Sequence, residues 1–170
     1  FKGDTNLQDS PLPEFLRGAV EKACLEIFKA AQDDPRLNGM GTTVISLCVK
    51  SNHALFAHVG DSRAYLVRGE LIQQISEDHS LVNEQIKAGM ITPEEARHSR
   101  YKNIITRSVG FEEEVQVDVA YDLGRVGVVH GALVVEVTRQ RGLAADPAPQ
   151  RDVHVVGRNG HRHQCNVGDD

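Results

Sequence analysis

Gly39, Met40, Gly41, Thr42, Thr43, Val44, Ile45, Ser46, Leu47, Cys48, Val49, followed after a short gap by His58, Val59, Gly60, Asp61, Ser62, Arg63, Ala64, Tyr65, Leu66, is the stretch that decides the fold. Val44, Ser46 and Cys48 alternate with Ile45, Leu47 and Val49, so both faces are largely apolar, which predicts a strand buried in a sheet. A second apolar run, Ala54 to Val59, stops at Gly60. Glycine lets the backbone turn sharply, so Asp61 can leave the sheet edge and point into a cleft. A carboxylate placed in that way suits a hard divalent cation. The plainer alternative is a turn aspartate that bonds its own backbone.

Working outward, Leu12 to Ala31 carries apolar residues at Phe15, Leu16, Ala19, Val20, Ala23, Cys24, Ile27, Phe28 and Ala31. That is a 3.6-residue stripe, and it predicts an amphipathic helix with Ser10 as N-cap. Gln32 to Asn38, with Asp33, Asp34 and Pro35, reads as the loop that ends it. Strands are predicted at 42–50, 53–59, 63–68 and 70–75, the last pair joined by a hairpin at Arg68, Gly69 and Glu70. A helix from Leu81 to Met90 and a short one opened by Pro93 come next. Arg97 to Lys102 is polar, with Tyr101 its one apolar anchor.

The chain has 170 residues, 40% hydrophobic residues and a formal charge of −5. These fit one globular domain and lack the basic balance of a nucleic-acid binder. No apolar run approaches the ~20 residues that span a bilayer. Cys24, Cys48 and Cys165 are scattered and odd in number, which suits buried thiols in a reducing, cytoplasmic setting.

Four motifs in order carry a family resemblance: Gly39 to Thr43, His58 to Leu66, Ser76 to Val82 (Ser, Glu, Asp, His, Ser, Leu, Val), and Asn103 to Gly110 with Ile105, Thr106 and Arg107 at its centre. Over residues 13 to 123 the sequence resembles the metal-dependent protein serine/threonine phosphatases of type 2C in their bacterial form. The resemblance implies an α/β sandwich, two antiparallel sheets flanked by helices, of which residues 1–123 would build about half. It implies hydrolysis of phosphoserine or phosphothreonine proteins by a water held between two magnesium or manganese ions, opposing a cognate serine/threonine kinase. Asp61 falls where the family holds a further, weaker divalent ion. Gly60, Ser62, Arg63, Asp78, His79 and Arg107 become motif or flap residues with structural or accessory roles, and no catalytic residue is assigned. Arg63 is expected to pair with a carboxylate, His79 to be structural and Arg107 to form a salt bridge. Residues 97–102 match the family's mobile flap.

The family's Asp-Gly-Met-Gly-Gly and Ser-Asp-Gly-Leu motifs do not occur in the chain. The expectation is therefore a phosphatase domain incomplete at both ends, an inactive fragment that lacks most metal ligands. The alternative is a non-catalytic phosphatase-like binding module. From Gly124 to Asp170 there is no Lys, Ile, Phe, Tyr, Met or Ser. This break marks 124–170 as an atypical tail, out of frame or disordered, or else a divergent or linker-like segment. His154, His161, His163 and Cys165 there lack the short paired spacings of a structural zinc site, so chance accounts for them.

Overall fold

The structure is a computed structural model that describes residues 11–50, 53–68, 70–120, 131–138, 151–156 and 162–166. Among these residues three α-helices, α1 (Leu12–Asp33), α2 (Leu81–Lys87) and α3 (Pro93–His98), accompany eight strands: β1 (Val44–Lys50), β2 (His53–Val59), β3 (Arg63–Arg68), β4 (Leu71–Gln74), β5 (Asp118–Ala120), β6 (Gly131–Thr138), β7 (Arg151–Val156) and β8 (Arg162–Asn166). The strands form two antiparallel sheets, β1-β2-β5 and β4-β3-β6-β7-β8. No helix among the described residues is long and apolar enough to cross a membrane.

β2 is the central strand of the first sheet, and Ala54 through Val59 are all buried. Its register pairs Val59 with Val44 on one side and His58 with Asp118 on the other. β1 departs from expectation: Val44 to Cys48 are only half-buried, because among the described residues β1 is an edge strand, paired with β2 alone. Period-2 alternation sends Leu55, Ala57 and Val59 to one face, where they pack with Leu16, Val20 and Cys24 of α1 and with Val109 and Val117. Burying each large apolar side chain there contributes about 1.5–3 kcal/mol.

The stripe on α1 is narrower than its sequence suggests. Leu16, Val20, Cys24 and Ala31 are buried, whereas Phe15 is 69% exposed. Ala19 and Ala23 also face solvent. Pro11 is the N-cap, with no side-chain cap; Ser10 lies outside the described residues. The helix runs on through Asp33, and Pro35–Leu37 is a 3-10 turn rather than open loop. Three long-range contacts fasten α1 to the segment 110–117: the Arg17 guanidinium donates to the Val117 carbonyl at 2.8 Å, the Cys24 thiol to the Glu112 carbonyl at 3.3 Å, and the Gly110 amide donates to the Cys24 sulfur at 3.2 Å. Gly110 sits at φ +92° against Ile27, where any Cβ would collide.

α2 ends at Lys87, three residues short of the expected helix, and Ser80 caps it. α3 is longer than expected: Thr92 and Glu95 make a reciprocal capping box, and the helix takes in Arg97 and His98 from the stretch read as flap. Of residues 124–170, the described stretches are strands of the second sheet; β6 pairs with β3 from Arg63↔Glu136 to Arg68↔Gly131. Cross-strand register sets His154 opposite Gln164, not opposite His163 or Cys165. His161 lies outside the described residues.

Candidate functional site

The chain passes from the first sheet to the second through the turn Gly60, Asp61, Ser62. Gly60 has φ +110°, and a Cβ there would collide with Thr43 of the preceding motif. The two sequence motifs therefore touch, and glycine is the residue that allows it. Thr43 Oγ1 and Ser62 Oγ share a 2.6 Å hydrogen bond across the same contact. Asp61 is half-buried, with its Oδ1 shielded from solvent.

Two ion pairs flank the turn. Arg63 grips Asp78 with both ends of its guanidinium, Nε at 2.9 and 3.0 Å and Nη2 at 2.5 Å, and Gln74 donates to the same carboxylate at 3.0 Å. The Asp78 hydrogen bond raises the Arg63 pKa further above its already high value. On the other side the chain runs Gly60, His79, Asp118, Arg107. His79 Nδ1 accepts from the Gly60 amide at 3.0 Å, Nε2 meets Asp118 Oδ2 at 2.9 Å, and Arg107 donates to Asp118 Oδ1 at 2.9 Å. Burial of the Asp118 carboxyl opposes ionisation, but the hydrogen bonds from His79 and Arg107 outweigh it and hold its pKa below the usual value.

His58 lies behind this chain, 1% exposed, its ring 4.8 Å from that of His79. Neither of its ring nitrogens makes a well-formed hydrogen bond. Burial, followed by the electrostatic influence of the neighbouring His79, pushes its pKa down to about 4.

The structure thus gathers Gly60, Asp61, Ser62, Arg63, Asp78, His79 and Arg107 around one turn. It does not make them a metal centre: no group of three or more His, Cys, Asp or Glu among the described residues could hold an ion. Asp78 and His79 are engaged with protein partners, Asp78 with Arg63 and His79 with Gly60 and Asp118. Residues that sequence reasoning left out are Thr43, His58 and Asp118. The signal for Asp118 was a lone carboxylate between Val117 and Val119 at a strand start.

The protein phosphatase 2C family profile matches residues 4–87. The protein phosphatase PhpP of Streptococcus pneumoniae is 50% identical over 93 residues, 55% of this chain and 37% of that protein. Among solved structures, the serine/threonine phosphatase Stp1 of Staphylococcus aureus superposes with a TM-score of 0.69 at 33% identity, covering 74% of this chain and 48% of the other. Residues 4–87 belong to the protein phosphatase 2C family.

Phosphatase 2C proteins are metal-dependent. The catalytic domain of the serine/threonine phosphatase PstP, solved in complex with two manganese ions, matches at TM-score 0.59 and 30% identity over 76% of this chain and 54% of its own. The present chain spans less than half the length of the curated relatives it matches. Its described residues do not fit a two-ion centre, since Asp61 stands without the further carboxylates such a centre requires.

Proposed function

We propose that this chain is part of a protein serine/threonine phosphatase of type 2C, acting on phosphoserine and phosphothreonine proteins in the cytoplasm opposite a serine/threonine kinase. The observation that carries the reading is the joined pair of motifs: Thr43 of the first packs on Gly60 and bonds Ser62 of the second, within the segment 4–87 that matches the family. The chain's own contribution is a rigid scaffold that presents Asp61 beside two ion pairs. Magnesium or manganese is the cofactor of the class and supplies an activated water when bound. In this chain Asp61 is proposed as a single, accessory divalent-ion ligand, and the chain is proposed to be inactive by itself.

A chimera tests this reading. Residues 12–120 replace the matching segment of the pneumococcal phosphatase, and manganese-dependent hydrolysis of a phosphothreonine peptide is measured. Retained turnover supports the phosphatase assignment. A folded chimera that binds the phosphopeptide without cleaving it supports the non-catalytic module instead. The compositional boundary at residue 123 is likewise a proposal. Sequencing the parent locus tests it, and another frame encoding Ser-Asp-Gly-Leu is the expected result.

A further inference from the structure

His79 spends all four of its polar groups on fixed partners. Its backbone N–H donates to the Gly60 carbonyl at 2.9 Å, its carbonyl accepts from the Thr106 amide at 2.9 Å, its Nδ1 accepts from the Gly60 amide at 3.0 Å and its Nε2 meets Asp118 at 2.9 Å. One residue thus holds both the amide and the carbonyl of Gly60. An amide can donate only to an unprotonated nitrogen, so Nδ1 carries the lone pair and Nε2 carries the proton, donated to Asp118. Arg107 holds the far side of Asp118, and it comes directly after Thr106, whose amide bonds the His79 carbonyl. The ring is 4% exposed, with no face open to a substrate.

We propose that His79 is a positioning residue: a buried clamp, locked as the Nε2–H tautomer by Asp118 and Arg107, that sets the Gly60–Asp61 turn and ties it to the segment around Thr106. It takes no part in proton transfer. The significance of Asp61 rests on the phosphatase reading; the clamp itself does not.

The experiment is nitrogen-15 and amide-exchange NMR on the full chain, with His79→Asn and His79→Gln. Asparagine can place its oxygen where Nδ1 lies, whereas glutamine reaches toward Asp118 and leaves the Gly60 amide without an acceptor. The expected result is an Nε2–H ring in the parent chain, Gly60 protection kept in His79→Asn, and a loss of about five- to tenfold in His79→Gln while the α1 amides hold. An Nδ1–H ring, or full Gly60 protection in a folded His79→Gln, overturns the proposal. Should His79→Gln fail to fold, the parent tautomer and His79→Asn still decide. None of these readouts needs turnover, so the clamp and the phosphatase reading fail separately.

Discussion

At the residue scale the site is a set of buried and half-buried polar groups, of which His58 is the most sensitive to acid. Its pKa falls from 6.5 to about 4 on folding. Between those values the unfolded chain binds more protons than the folded one, so stability is full above about pH 6.5 and declines toward pH 4. The expected loss is about 3 kcal/mol, read from urea denaturation at a series of pH values. His58→Phe, similar in size and uncharged, should flatten that profile. Asp118 adds a second loss only below its usual carboxylate range, since its folded pKa is depressed. Gly60→Ala should cost about 2 kcal/mol or more, through strain at φ +110° and the collision with Thr43, and equilibrium denaturation checks it.

At the element scale, α1 separates side chains that hold the fold from those that merely look as if they do. Leu16→Ala should lose about 2–4 kcal/mol because it empties the contact with β2. Phe15→Ala, beside it in sequence but facing solvent, should change stability by about 0.5 kcal/mol or less in the same denaturation series. Gly18→Ala should stabilise by about 0.5–1 kcal/mol, since that position is helical and open. Element type was legible from local periodicity: β2, β3 and α1 lie within a residue or two of where the pattern puts them. Depth was not legible. β1 has the same apolar alternation as a central strand, yet its place at an edge comes from pairing with other segments, which periodicity does not encode. Likewise Arg63 announces a carboxylate partner, but that the partner is Asp78 depends on how the chain returns past β4. His79 and Asp118 meet across 39 residues, and no local signal marks such a pair.

At the scale of the whole molecule, the Gly60–Ser62 turn links the two sheets, and α1 seals the first of them through Arg17 and Cys24. The motif order made the family legible because each motif serves this joint: Gly39–Thr43 packs on it, His58–Leu66 forms it, Ser76–Val82 clamps it and Asn103–Gly110 braces the clamp through Thr106 and Arg107. The metal centre is the part that does not close. Two ions need several converging carboxylates, and among the described residues no group of three or more His, Cys, Asp or Glu comes together to hold an ion. The described residues thus form a phosphatase 2C scaffold with Asp61 as its single candidate metal ligand. Calorimetric titration of the purified chain with manganese, run for the parent and Asp61→Asn beside an assay of phosphothreonine-peptide hydrolysis, tests it most directly. The expected result is no manganese-dependent turnover and at most one weak site that Asp61→Asn removes. Two tight sites with turnover would contradict it.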